Sequence, residues 1–259
     1  MAEALYEWGP DAAISNLDQL GANTYPGRGI VLGRSPDGEA AVQVYWIMGR
    51  SEGSRNRIFG ENGESIRTEV FDGNKETGNP NLTLYNAMSP VRKGVHVVSN
   101  GRQTDEIVRA MRQHKGEGDM GAHTAFVESL DDWGYEDDEP NFTPRISGFT
   151  TAESYGVSSI SRHPLTGEPV HVFGRGDLAD IPKGHGLAVH TYKGDGKPLP
   201  AFTDYPFPVP VLGSAQETAE MFWEKGLNPD NRVAIAARFI SRRTGAVAQA
   251  IINGLGQAS

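Results

Sequence analysis

The chain of 259 residues contains no cysteine. Disulfides, thiolate metal sites and a cysteine nucleophile are excluded at once, and a reducing cytoplasm is the expected compartment. Long apolar runs are missing as well. The longest, Val44–Met48 and Val233–Ala237, fall far short of the roughly 18 residues a membrane helix requires, so no membrane association is expected. Met1 to Leu20 carries Glu3, Glu7, Asp11 and Asp18, which argues against a secretory signal. Basic residues are the minority: 24 Lys and Arg against 33 Asp and Glu leave a net charge of −9. Broad nucleic-acid binding rests on a basic surface and is not expected. A small anion needs only a local group of arginines, and the acidic total does not exclude it.

Familiar catalytic signatures are lacking too. There is no GxxxxGK[ST], no GxGxxG opening a helix, no HExxH and no GxSxG. The seven histidines show no ligand-like spacing beyond His185 and His190. Five residues apart on a strand, those two face opposite ways, so no metal site is expected.

Glycine and proline, by contrast, are abundant, at 32 and 16 residues. With 37% apolar residues available for a core, the excess reads as many tight turns. Gly29–Gly33 and Ala40–Met48 flank the turn Ser35-Pro36-Asp37-Gly38 and predict a hairpin. Glu69–Phe71, Val95–Val98 and Gly184–Tyr192 are further strand candidates, and Ser154–Ser161 with Val170–Phe173 form a second hairpin. Helical spacing predicts helices over Asp105–His114, capped by Thr104, and over His123–Leu130. Ser214-Ala215-Gln216-Glu217 has the form of a capping box, opening a helix to about Lys225 whose apolar face is Ala219, Phe222 and Trp223. The alanine-rich segments Arg232–Phe239 and Ala246–Ile252 are read as helical, and Pro198–Pro210 as an irregular crossing. The pattern is that of one α+β domain.

Arginine is dense beside glycine and asparagine near predicted strand ends. Gly27-Arg28 precedes Gly33-Arg34, and Arg50, Arg55 and Arg57 crowd the end of the second strand. Guanidinium groups suit bidentate phosphate binding, but the same residues also fit a solvated cluster neutralised by Glu52 and Glu61. Three further islands are Asn79–Asn86, Val98–Asp105 and Tyr135–Arg145. By composition alone each is ordinary turn chemistry.

Together and in this order, these islands resemble the archaeal-type IMP cyclohydrolase family. The resemblance runs from Tyr25 to about Ser161. It is carried by Gly27-Arg28 with Gly33-Arg34, Arg50-Ser51 to Asn56-Arg57, Asn79-Pro80 with Tyr85-Asn86, Val97–Gly101 with Thr104-Asp105, and Glu136 to Thr143-Pro144-Arg145. It implies an extension over residues 1–24 followed by a single domain over 25–259. The implied fold is a four-layer αββα sandwich like that of the N-terminal nucleophile hydrolases, without a processed nucleophile. In keeping with this, Met1-Ala2 offers no Ser, Thr or Cys.

The activity it implies is the dehydrative closure of 5-formamidoimidazole-4-carboxamide ribotide to IMP in purine biosynthesis. No cofactor is implied, and the expected assembly is a homo-oligomer, by resemblance a tetramer. The resemblance maps catalysis onto Arg57, Tyr85 and Glu136. Arg28, Arg34, Arg50, Asn86, Asn100, Thr104, Asp105 and Arg145 are then candidates for holding the ribotide. The run from Arg50 to Arg57 is longer than in the archaeal pattern, which leaves Arg55 a competitor for the position of Arg57. A purine-nucleotide-binding regulator that kept the pocket and lost the chemistry is the alternative reading.

Overall fold

The structure, a computed structural model, describes residues 8–75, 79–114, 116 and 118–256. Met1 and Ala2 lie outside the described residues. Among those described, two antiparallel sheets stack face to face between helices. The first sheet has the order β11 (Phe207–Pro210), β10 (His185–His190), β1 (Gly29–Arg34), β2 (Ala40–Met48), β12 (Arg232–Ser241) and β13 (Val247–Asn253). The second runs in chain order through β3 (Arg57–Asn62), β4 (Ser65–Val70), β5 (Asn86–Arg92), β6 (Val95–Ser99), β7 (Arg145–Thr150), β8 (Ser154–Arg162) and β9 (Pro169–Asp177). Helices α1 (Pro10–Ala22) and α6 (Ala215–Met221) cover the outer face of the first sheet, and α4 (Gln103–Gln113) and α5 (Gly118–Glu128) cover the second. Two single-turn helices, α2 (Glu52–Arg55) and α3 (Pro80–Thr83), occupy connections.

Alternation along β2 explains the layering. Val42, Val44, Trp46 and Met48 join the core under α1 and α6, with Leu17, Leu20, Ala219 and Phe222. The intervening Tyr45 and Ile47 join the core between the sheets, with Ile30, Leu32, Phe59, Met88, Val98 and Ile146. A strand buried on both faces reads as a continuous apolar run, and Val44–Met48 is one. Val95, Val97 and Phe149 turn the other way, onto Ile107, Met111 and Phe126 of the outer helices.

Both predicted hairpins form. The alanine-rich C-terminal segments do not become helices: they are β12 and β13, paired from Ala234↔Asn253 to Ile240↔Val247. The reason is packing. Ala234 and Ala236 face the second sheet while Ile235, Ala237 and Phe239 face the helices, a period of two that small side chains disguise as helix propensity. Helix α4 begins earlier than expected. Thr104 lies inside its first turn, not at the cap, and its hydroxyl donates to the Gly101 carbonyl at 2.9 Å. Ser214 does cap α6, accepting from the Glu217 amide at 3.2 Å, but α6 gives way at Phe222 to a turn of π-helix through Gly226. Part of the proline-rich crossing is ordered as β11, paired with β10.

Among the described residues, His96 and His190 are buried and neither forms an ion pair with a carboxylate. Burial, and for His96 the nearby Arg238 charge as well, lowers the pKa of His96 to about 4; burial likewise lowers that of His190 to about 4. In the unfolded chain each takes up a proton near pH 6.5, so between pH 6.5 and 4 the unfolded state binds more protons and stability falls with pH. The loss across that window reaches about 3 kcal/mol per histidine, an order-of-magnitude figure. Thermal unfolding followed from pH 7.5 to 4.5 is expected to show a falling midpoint below pH 6.5, and His190→Gln to flatten that limb. A flat wild-type profile would contradict it.

Candidate active site

The sandwich has two ends, and charge gathers at one of them. Gly27, at φ +76°, turns the chain into β1; an added Cβ there would lie 2.2 Å from the Thr191 hydroxyl and 2.5 Å from the Tyr192 ring. That turn leaves Arg28 at the mouth of the sandwich, on the side of β1 shared by Ile30 and Leu32. Arg28 grips Glu136 with both Nη atoms, at 2.9 Å to Oε1 and 2.6 Å to Oε2, and also donates to the Asn100 carbonyl at 2.9 Å. The Glu136 side chain is only 2% exposed and that of Arg28 11%. Arg145 approaches the same carboxylate at 3.5 Å, donates to Gln103 Oε1 at 3.1 Å and lies over the Trp133 ring. Gly101 leaves room for it, since a Cβ there would sit 2.6 Å from Arg145 Nη1.

Glu136 is not part of a solvated acidic turn. Its neighbours Asp137 and Glu139 are exposed, but the loop folds back so that the Glu136 amide donates to the Thr143 carbonyl at 2.9 Å. Asp138 accepts from both the amide and the hydroxyl of Thr143, and the Thr143 and Tyr192 hydroxyls are in contact. The loop is thus pinned to both sheets. Of its carboxylates, Glu136 is buried against the arginines and Asp138 is half-buried on Thr143.

Beside this pair, the hydroxyls of Tyr45 and Tyr85 meet at 2.6 Å in the inter-sheet core. Tyr45 is fully buried, and burial, with Tyr85 beside it, pushes its pKa well up despite the Arg28 and Arg57 charges. Burial alone would weaken the Arg28 charge, but Glu136, together with Tyr85 and Tyr45, holds its pKa well above the ordinary value. Arg145 goes the other way, its pKa lowered by burial and by the like charge of Arg28 in spite of Glu136. Tyr25 has its pKa raised by burial, against the pull of Arg57, Arg28 and Arg50. These mutual influences join Arg28, Arg57, Arg145, Tyr25, Tyr45, Tyr85 and Glu136 into one cluster.

Geometry separates the crowded arginines. Arg57 is buried at the start of β3, its Nε bound to the Ser54 carbonyl at 2.9 Å and one Nη to the Met48 carbonyl at 3.3 Å. Arg55 turns away to the Gly49 carbonyl and Asn231. Arg50 lies over the Tyr25 ring, paired with Asp195 and bonded to the Gly196 carbonyl at 3.1 Å. Neither Glu52 nor Glu61 neutralises these three among the described residues; Glu52 pairs with Lys75 at 3.5 Å.

Other expected ligand-holding residues are placed differently. Arg34 is at the far end of β1, opposite Ala41; six residues of strand put it roughly 20 Å from Arg28. Asn100 is fully buried and bonded inside the fold. Its amide donates to the Pro144 carbonyl at 2.8 Å, and its oxygen accepts from the Ile146 amide and from Gln103. Thr104 is spent on Ser99 and Gly101. Asn86 and Asp105 bond each other at 2.8 Å near the surface. Tyr25, Tyr45, Thr143 and Tyr192 were not among the site residues expected from the sequence. For Tyr45 the signal was there: a hydroxyl inside the apolar run Val44–Met48 must find a partner.

A groove of about 480 Å³ between α1 and α6, lined by Leu17 and Met221, lies on the outer face of the first sheet, away from this cluster. No group of His, Asp and Glu among the described residues is arranged to hold a metal ion. No helix among them is long and apolar enough to cross a membrane. A search of curated proteins returns no match. Residues 25–245 match the protein-family model described as IMP cyclohydrolase-like protein, a span that holds every residue of the cluster. With most of its length and the whole of its charged end inside that match, the chain belongs to the IMP cyclohydrolase-like family.

Proposed function

We propose that the protein is an IMP cyclohydrolase, closing the formamido ribotide to IMP with loss of water. What supports this reading is the pairing of Glu136 with Arg28 and of Tyr85 with Tyr45 at one end of the sandwich, with the Arg28 and Arg57 charges both acting on Tyr45. In the reaction the carboxamide nitrogen attacks the formyl carbon, the nitrogen loses a proton and the formyl oxygen gains one. The resulting carbinolamine then loses that oxygen as water, the second proton coming from the former formamido nitrogen as the ring C=N bond forms. An amide nitrogen is a weak nucleophile, so it depends on near-attack positioning and on proton removal as the bond forms.

Roles follow from the contacts. The Tyr45–Tyr85 hydroxyl contact can run in either direction; with Tyr45 as the donor, the Tyr85 proton is left to point toward the formyl oxygen. Arg57, held by two backbone carbonyls, has one Nη with no hydrogen-bond partner among the described residues, placed to stabilise the oxyanion without reorganising. Glu136 accepts the amide proton through water. Arg28 and Arg145 occupy one side of each interaction, but a carboxylate has about four lone-pair sites, so accepting capacity remains. Arg28 thereby acts as a positioning residue for Glu136, not as a phosphate ligand. Phosphate falls to Arg50, which is partly exposed and exchanges Asp195 for the ligand. Cytoplasmic location and assembly as a homo-oligomer, by resemblance a tetramer, belong to the same reading.

The test is ultraviolet absorbance of the formamido ribotide mixed with pure protein, since ring closure creates a purine chromophore. Tyr85→Phe and Glu136→Gln are each expected to lower kcat by about 10²–10⁴-fold, the usual worth of a positioned acid or base, with little change in KM. Tyr45→Phe is expected to lower kcat less, about tenfold, by freeing the Tyr85 hydroxyl to rotate. Arg50→Ala should weaken IMP binding about tenfold at low salt, measured by calorimetry, with kcat less affected. Intact nucleotide binding with no spectral change in the wild type would replace this reading with that of a regulator.

A further inference from the structure

The end of the sandwich remote from Glu136 carries a second concentration of positive charge. Three turns meet there, β3–β4 at Gly63, β5–β6 at Lys93 and β12–β13 at Gly245, around a cleft of about 500 Å³. Arg92, Lys93 and Arg112 line it, with Glu64 as the carboxylate in its wall. Glu61 accepts from Gln249 Nε2 at 2.6 Å. Arg112 is fixed by donating Nε and one Nη to the carbonyls of Val91 and Pro90, at 2.9 and 2.8 Å, and its other Nη has no hydrogen-bond partner among the described residues. In a chain of net charge −9 this excess is local and one-sided.

Behind the cleft lies an energetic anomaly. Arg238 of β12 is 0% exposed, and among the described residues no carboxylate lies within ion-pair distance of it. Its hydrogen bonds are all to neutral acceptors. Nε and Nη2 donate to Gln249 Oε1 at 3.2 and 2.8 Å, Nη2 to the Glu64 carbonyl at 2.8 Å, and Nη1 faces His96 Nδ1 at 3.3 Å. A buried guanidinium without a counter-charge is costly, and here burial drives its pKa down to about 10 in spite of Glu64 and Glu61.

His96 transmits that charge to the cleft. Facing a guanidinium N–H, its Nδ1 can only accept, which leaves the ring proton on Nε2. His96 itself lines the cleft, and Nε2 has no protein partner among the described residues. The arrangement is a buried cation, a neutral imidazole oriented by it, and a donor presented beside three exposed cations, of which Arg112 is held by the Val91 and Pro90 carbonyls and Arg92 by that of Met111.

We propose that this cleft is a second anion site, independent of the ring-closing site, that binds a phosphate group. His96 Nε2 and Arg112 would supply fixed donors, and Arg92 and Lys93 the rim. The ligand supplies the negative charge that Arg238 lacks. The group would arrive either as inorganic phosphate or on a small phosphorylated metabolite.

The experiment uses the intact protein with imidazole nitrogens observed by two-dimensional NMR, inorganic phosphate and ribose 5-phosphate being titrated separately. The expected result is a saturable shift of the His96 Nε2 resonance that persists in Arg50→Ala, where the opposite end is impaired. Arg92→Glu with Lys93→Glu, exposed positions at the end of β5 and in the turn after it, should weaken it by about tenfold or more, the worth of one charge-assisted contact. Tighter binding of ribose 5-phosphate than of phosphate would identify a metabolite; equal binding would identify the free ion. No His96 response at millimolar ligand, or a response abolished by Arg50→Ala and untouched by the Arg92/Lys93 change, overturns the proposal.

Discussion

The bidentate pair between Arg28 and Glu136 is the contact on which the charged end of the molecule depends. It spans the first strand of one sheet and the loop that feeds β7 of the other. A buried ion pair is not in itself a source of stability, because desolvation offsets much of the attraction; removing one partner alone costs about 3–5 kcal/mol. The pair is tolerated here because its remaining bonds are satisfied. Arg28 also serves the Asn100 carbonyl, Asn100 in turn holds Pro144 and Ile146, and Arg145 completes the cage around the carboxylate. Orientation is the return on that cost. Glu136 stands at a fixed position among cations, beside the two tyrosines, before any ligand arrives.

Much of the fold was legible where one signal dominated. Turn chemistry marked both hairpins, and the continuous apolar run of β2 announced a strand covered on both sides. The alanine-rich strands were not legible, because Ala234 and Ala236 have high helix propensity and are chosen for close approach of the sheets, a tertiary demand invisible in a local window. The same limit governed the site. Arg34 and Arg28 look equivalent in sequence, each following a glycine. Only the antiparallel register, with Gly29 beside Trp46 and Arg34 beside Ala41, shows that they serve opposite ends. Asn100 offered a donor and an acceptor suited to a heterocycle, and both are consumed by backbone that cannot be seen from one island.

The inter-sheet layer thus has an apolar middle and two polar ends built on different principles. At the Arg28 end, cations are neutralised in part by carboxylates and joined by phenols. At the other, Gln43 donates to the His96 carbonyl at 2.9 Å and to Thr150, and Arg238 relies on neutral acceptors. Tyr45 and Gln43 occupy the same face of β2 two residues apart, one serving each end. Val42, Val44 and Trp46 of the same strand are buried under the helices, so one packed strand links the two ends.

Helix α1 shows how a segment outside the family-matched span enters the site. It is not decoration on the first sheet: Ala13, Leu17 and Leu20 are buried, and Gly21 passes so close to the π-helical turn after α6 that a Cβ would overlap the Lys225 carbonyl at 2.0 Å. The helix ends at Asn23, whose side chain accepts from the Tyr25 amide at 3.0 Å and reaches the Tyr192 carbonyl at 3.4 Å. Tyr25 stacks on Tyr192 and supports Arg50 from below, while Asn231 holds the Thr24 carbonyl at 2.9 Å. Packing of α1 against the sheet therefore determines where Tyr25 stands, and Tyr25 determines where the Arg50 guanidinium waits. A matched span that starts at residue 25 has its first aromatic residue positioned by the helix just before it.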